Sequence, residues 1–268
     1  MPSRGQTINA TNTYSVTNDD GYKTTNFPNH IEIASIKGTS GEGVLESVGY
    51  ESPKTSDGGK LSEGDEKYTE TKQTLIKCLS GLWMKNQHNE IKQLMIHSQA
   101  DKLRNFDDSS FNKAILLNNS SGASNLGHNA VMLVNKEGYG IVFSVFSSGS
   151  KFAETLWTDA ELRFSVLLPQ EVDKLTQNNG KKNLIAGMPA TDGDVKHEYY
   201  DNSVEFDISV EQGKKMYEFA TGRYEWPKHY MLLFENCDHF AVDCFKEAGI
   251  NINKNISPND TFKNATKI

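Results

Sequence analysis

Read from its first residue, the chain alternates between long polar stretches and a few segments in which apolar side chains recur with a definite period. Up to about Lys67, Thr, Asn, Ser, Gly and Asp dominate, and apolar residues come only in short stretches such as Ile31 to Ile36 and Val44 to Val48. Such a segment buries too little to offset its backbone entropy, so residues 1–67 are expected to form a polar, flexible leader rather than a domain. Between Thr71 and Arg104, the residues Leu75, Ile76, Leu79, Leu82, Trp83, Ile91, Leu94 and Met95 recur mostly at three- and four-residue steps, interrupted from Lys85 to Glu90. This spacing predicts two amphipathic helices or one interrupted helix, with Cys78 on the apolar stripe as a buried packing thiol.

After a polar loop at 118–125 the period becomes that of a strand. Residues 127–134 and 139–146 flank Asn135-Lys136-Glu137-Gly138, whose Asn and Gly suit a tight turn, and together they predict a β-hairpin. Further strands are expected over 163–168, ended by Pro169, and over 203–208, with a Gly-rich loop at 178–194 between them. Helices are expected over 210–221 and 237–248, and a short apolar strand or entry segment over 230–234. The whole reads as an α+β fold, an antiparallel sheet packed on helices, occupying residues 68–268.

At 268 residues the chain is long enough for a substantial core, yet only 36% of it is hydrophobic, in keeping with an unpacked leader. Its net charge of −7 and its four Arg among 28 basic residues disfavour a nucleic-acid partner. Three cysteines, Cys78, Cys237 and Cys244, are too few for a disulfide framework, and no apolar run approaches the ~20 residues of a membrane-spanning helix. Synthesis in the cytoplasm without a signal peptide is expected. No phosphate-cradling or dinucleotide fingerprint, no Gly-x-Ser-x-Gly elbow and no zinc-ligand spacing around Cys237, His239 and Cys244 is present, so no cofactor and no metal are expected.

The helix over 237–248 carries the chemistry. Asn236 is a favourable N-cap, Asp238 sits in the first turn and Gly249 is placed to end the helix. Cys237 therefore occupies the first turn, where unpaired backbone N–H groups and the dipole favour thiolate and lower the thiol pKa. The same residue also begins an apolar stripe with Phe240, Ala241, Cys244, Phe245 and Ala248, and the stripe taken alone favours a plain core face. Cys244, two turns on, is assigned to packing.

A cysteine nucleophile needs a base, and imidazole suits that task near neutral pH. His239 lies two residues along the helix and diverges from Cys237. His88 and His97 belong to the early helical region, His30 to the leader and His197 to a loop, each reading as an ordinary surface or capping residue, and His229 is a weak competitor. His128 opens a strand with Ala130, Met132 and Val134 on its face of the pleat. Ser144 on the partner strand is the first candidate to orient its ring, with Asn129 behind it.

Two blocks carry a resemblance. Residues 127–134 with the following turn and Val142-Phe143-Ser144 resemble the histidine hairpin of permuted papain-like hydrolases of the NlpC type, nearest to toxin domains of bacterial RHS-repeat and type VI secretion effectors. Residues 230–240 and 244–250 resemble their cysteine helix, and residues 256–260 have the flavour of their tail. Asn236-Cys237-Asp238-His239-Phe240 is also similar to the Asn-Cys-Glu-His-Phe block of lecithin retinol acyltransferase-like proteins, which carry a second His where this chain has Phe143 or Ser144. The resemblance implies a permuted papain-like fold, Cys237 as nucleophile and His128 as base. It further implies a peptidoglycan amidase or endopeptidase acting in a target cell's periplasm, with a cognate immunity protein and a secretion-apparatus carrier as partners. A lipid acyl hydrolase or acyltransferase, or a non-catalytic binding module, are the alternatives.

Overall fold

The structure, a computed structural model, describes residues 14–17, 22–26, 32–36, 63–85, 90–148, 158–177, 180–191, 193–225, 229–230, 236–255 and 257–268. It divides into two compact units, Met1–Arg104 and Asn105–Ile268.

In the first unit, β1 (Tyr14–Thr17), β2 (Tyr22–Asn26) and β3 (Glu32–Ile36) form an antiparallel sheet in that order. The polar composition concealed these strands, although Thr, Tyr and Ile suit a pleated ribbon. Most of the expected leader, including Val44 to Val48, lies outside the described residues. Two helices follow, α1 (Glu63–Lys85) and α2 (Glu90–Asn105), on either side of the predicted break. Leu75, Ile76, Leu79, Leu82 and Trp83 of α1 are buried as expected. On α2 the buried stripe is Ile96, Ala100 and Leu103, whereas Met95 is exposed and Leu94 half-buried, a stripe rotated from the predicted one. The helices meet ring against ring at Trp83 and His97, so His97 is buried rather than superficial, and Cys78 is half-buried.

The second unit is α+β. Its elements are β4 (Phe111–Asn119), a short turn of helix α3 (Gly122–Asn125), β5 (His128–Asn135), β6 (Gly140–Ser147), β7 (Thr158–Leu167), α4 (Pro169–Thr176), β8 (Asn183–Pro189), β9 (Val195–Tyr200), β10 (Asn202–Asp207), α5 (Val210–Glu225), β11 (His229–Tyr230), α6 (Cys237–Glu247) and α7 (Pro258–Ala265). Six strands form one antiparallel sheet in the order β10-β4-β5-β6-β7-β11, and β8 and β9 pair separately. The predicted hairpin is β5–β6. Asn135 Oδ1 accepts the N–H groups of Glu137 and Tyr139, and Gly138 takes the positive φ the turn requires.

Register sorts the side chains onto two faces. Leu116, Val131 and Phe143 align across β4, β5 and β6 on the face covered by α5 and α6, where Phe143 meets Tyr217 and Phe206 meets Phe245. Ile115, Leu117, Ala130, Met132, Val134 and Val142 line the other face and pack with Val172 and Leu175 of α4 and with Ile185, Met188 and Tyr200 of β8–β9. Strand β4 was not anticipated, and the loop expected over 178–194 contains β8. His197, expected on a loop, lies on β9. Of the short strand expected over 230–234, only Tyr230 lies within the described residues, in β11. Among the described residues no helix is long and apolar enough to cross a membrane.

Candidate active site

The N-terminus of α6 forms as its sequence predicts. Asn236 is extended and its Oδ1 accepts the N–H groups of Asp238 (2.9 Å) and His239 (3.1 Å), satisfying two donors the helix leaves open. Gly249 takes a positive φ just beyond the other end. His239 turns away from the thiol and places Nδ1 3.0 Å from the same Asn236 oxygen. Cys244 lies in the core with its sulfur on the Met216 carbonyl, the packing role expected of it.

A network of amides and one carboxylate docks this helix end to the sheet. Asn118 and Asn129 face each other across β4 and β5, and Asn118 Nδ2 donates to Asn129 Oδ1 (2.9 Å). Asn129 Nδ2 donates in turn to Asp238 Oδ1 (2.7 Å) and to the Pro258 carbonyl (3.1 Å), and Thr261 Oγ1 donates to Asp238 Oδ2 (2.8 Å). Asp238 is buried, which raises its pKa even against the two donors that favour its charge. Asn129, second choice to orient the imidazole, is thereby committed to α6.

Strand geometry brings the thiol to the end of β5. The Asn118 carbonyl accepts the Asp201 N–H on the β10 side (3.0 Å), so the facing residue Asn129 turns its own N–H towards β6. The paired residues of β5 and β6 run only as far as Val131 and Phe143, and the Asn129 N–H is taken by the Cys237 sulfur. The N–H groups of Asp238 and Cys237 also favour charge on that sulfur, and the Tyr230 phenol stands beside it with its oxygen on the Cys237 N–H. The expectation of a lowered thiol pKa needs correction. The helix-end N–H groups do favour thiolate, but Cys237 is only 3% exposed, and burial outweighs them and pushes the thiol up to about 12.

His128 precedes Asn129 and points to the opposite face. Its Nε2 lies 2.8 Å from Ser144 Oγ, and its ring stacks on Phe146 with centroids 4.0 Å apart. The structure therefore brings His128 and Ser144 into direct contact, and Cys237 onto the backbone of the next residue. Thiol and imidazole reach the same end of the sheet from its two faces. His128 is buried, and desolvation together with the nearby Arg163 charge depresses its pKa to about 3.

Behind Ser144 stands a polar cluster that sequence reasoning missed. Arg163 is directly opposite Ser144 on β7, and Glu161 is opposite Phe146. The Arg163 guanidinium lies 3.7 Å above the Phe146 ring, on Glu161 through Nε and 3.3 Å from Glu198 through Nη1. Glu198 on β9 accepts the Tyr200 phenol, and the Tyr200 oxygen lies 3.4 Å from Ser144 Oγ. Burial raises the pKa of Glu198, while Arg163, Tyr200 and Ser144 all favour its charge. The available signal was the alternation of Glu198 and Tyr200 with exposed His197 and Tyr199, masked by the Gly- and Asp-rich residues before it.

Among the described residues no group of three or more His, Cys, Asp or Glu could hold a metal ion. No protein-family model, curated protein or solved structure matches the chain.

Proposed function

We propose that this protein is a cysteine-dependent acyl hydrolase in which Cys237 is the nucleophile, His128 the base and Ser144 the residue that orients the base. The observation that supports the reading is the Cys237 sulfur at the first residue of a helix, favoured as thiolate by the N–H of Asn129, the residue that follows His128 on β5; the His128 ring itself lies on the other face of the sheet, bonded to Ser144. With the thiol pushed up to about 12 and the imidazole down to about 3, both groups are neutral at rest. General-base delivery is thus favoured over a standing ion pair. For this the His128 ring, which does not touch the sulfur in the structure, would have to turn from Ser144 toward Cys237; imidazole then takes the thiol proton as the sulfur–acyl carbon bond forms and gives it to the leaving amine as the amide bond breaks. Water, deprotonated by the same imidazole, cleaves the thioester and restores the thiol. The Cys237 N–H, which the Tyr230 oxygen now occupies, is the donor an oxyanion would take, so a substrate would displace that phenol.

The proposed substrate class, amide bonds of peptidoglycan stem peptides, and the role as a secreted antibacterial effector with an immunity partner rest on the two sequence blocks that resemble NlpC-type toxin domains. A second reading, a non-catalytic module on a papain-like shell, draws support from the closed, neutral thiol. Incubating the protein with purified sacculi and with phospholipid vesicles, followed by mass spectrometry, separates the readings. New muropeptides are expected from the wild type, none from Cys237→Ala and near-normal amounts from Cys244→Ala. Lysolipid would redirect the reading to a lipid acyl hydrolase, and no product from either substrate would favour the binding module. Product formation by a folded Cys237→Ala protein would overturn the assignment of the nucleophile.

A further inference from the structure

The strand that opens on His128 and the helix that opens on Cys237 are both bonded to a third element, the first turn of α7. On the side of the base, the Asn259 N–H donates to the Leu126 carbonyl (3.2 Å) and Asn259 Nδ2 to the carbonyls of Ser120 and Asn125 (3.0 Å each). One residue thus grips the turn before β5 at three points. Its Oδ1 accepts from Asn118 Nδ2 (3.1 Å), and since carbonyls only accept and an amide nitrogen only donates, the side chain has one possible orientation. On the side of the nucleophile, Thr261 Oγ1 donates to Asp238 Oδ2 (2.8 Å), beside Cys237, and accepts the Asn255 N–H (2.8 Å). The Pro258 carbonyl between them accepts from Asn129 Nδ2 (3.1 Å), beside His128. Ser257 caps this turn by accepting the Asp260 N–H, so the anchor is itself fixed.

The gripped turn needs an external hold. Within it Ala123 and Asn125 take φ of 44° and 71°, left-handed values that residues other than glycine adopt rarely and keep only where their surroundings enforce them. Gly127 follows with φ 96°, and a Cβ there would collide with Asn259 Oδ1, so the Asn259 side chain lies flat against the residue before His128. A Cβ on Gly122 would stand 2.7 Å from the His128 Cβ, which shows the turn folded back on the base. We infer that Asn259 is a positioning residue for His128: it holds a strained turn in the shape that delivers the imidazole to the end of β5, while Thr261 holds the Cys237 helix through Asp238. The catalytic consequence rests on the proposed hydrolase reading, but the hold on His128 does not. In that reaction the ring swings from Ser144 toward the sulfur, so the backbone it swings from must stay in place; a misplacement of about 1 Å can cost about a hundredfold in rate.

The test is NMR with hydrogen exchange on the full chain. In the wild type both Asn259 Nδ2 protons should exchange more slowly than those of a free amide, and exchange at the free rate would overturn the inference without any variant. The His128 ring protons should lie upfield of their free positions, because the ring stacks on Phe146. Asn259→Ala should move them toward the free values and speed exchange of the Leu126 and Gly127 amides by about tenfold or more, with the Asp238 and His239 amides unchanged. Thr261→Val, which keeps the shape and loses the hydroxyl, should do the reverse, and Thr261→Ser should restore wild-type behaviour. Should Asn259→Ala fail to fold, Asn259→Asp, which keeps the acceptor and loses both donors, takes its place with the same expectation. A folded variant at 259 with wild-type His128 signals would overturn the inference, and so would equal changes at both ends in both variants, which would mean general loosening. If muropeptides are produced, Asn259→Ala should lower kcat by about tenfold or more with little change in KM, the signature of a misplaced base. Absence of any product alongside the expected shifts would count against the hydrolase and leave the positioning role standing; product from Asn259→Ala at the wild-type kcat would do the reverse.

Discussion

At position 237 two opposing effects act on one sulfur atom. Three backbone N–H groups favour its negative charge, and removal from water opposes it; the outcome, a thiol near 12, shows burial to be the larger. Alkylation of the native protein should accordingly be slow. At pH 8 an unfolded cysteine with a pKa near 9 has about a thousandfold more thiolate than one near 12, so iodoacetamide labelling of Cys237 should be slower by about that factor than in urea. Peptide mapping by mass spectrometry measures the ratio. His128 makes a complementary prediction. Its folded pKa of about 3 lies below the ordinary 6.5, so between these values the unfolded chain binds the extra proton and stability is lost as pH falls. This residue alone contributes up to about 1.4 kcal/mol per pH unit in that window. Glu198 and Asp238, whose pKa values are raised, slope the other way, so the clean measurement is a difference. Urea titrations from pH 7 to 4 should show a shallower acid loss for His128→Asn than for wild type. Parallel curves would mean that the imidazole is not held neutral.

Among the elements, the ones with a strong local signature were legible. The Asn135 and Gly138 turn, the Asn236 cap and the Gly249 stop are each settled within a few residues, and the β5–β6 hairpin and α6 stand where pattern and caps put them. Strand β4 was hidden because its Ala114-to-Leu117 run is buried on both faces and shows no alternation. Helix α5 shows what local rules omit. A Cβ at Gly213 would lie 2.4 Å from the Phe111 Cβ, whereas one at Gly222 would meet nothing within 4 Å. Helix propensity favours alanine over glycine by about 1 kcal/mol at either site. At Gly213 the collision with a backbone-anchored atom costs about 1–3 kcal/mol and wins. Gly213→Ala should lower the urea midpoint and Gly222→Ala should raise it; a gain in both would show that α5 can move off β4.

For the molecule as a whole, the carboxy-terminal residues are fastened to sequence-distant loops. Asn259 accepts from Asn118 at 3.1 Å and donates to the carbonyls of Ser120 and Asn125, each at 3.0 Å, tying α7 to the turn before β5. Asn259→Ala removes these three bonds at a cost of about 1–3 kcal/mol, since two of them are solvent-facing. Circular dichroism melts should register that loss, and an unchanged melting temperature would mean that the tail is held by Thr261 and Asp238 alone. Periodicity and residue type were enough to determine the α+β class, the hairpin, and the seats of Cys237, His128 and Ser144 on particular elements, because caps, turns and pleats are decided by neighbours in the chain. They could not determine that Ser144 touches His128, that Asn129 offers its N–H to the Cys237 sulfur, or that Glu198, Tyr200 and Arg163 stand behind the serine. Those contacts join strands far apart in sequence. The sheet register and the burial that follows from it decided them, along with the neutral state of both thiol and imidazole, because desolvation is a property of the assembled interior and has no counterpart in any local stretch of residues.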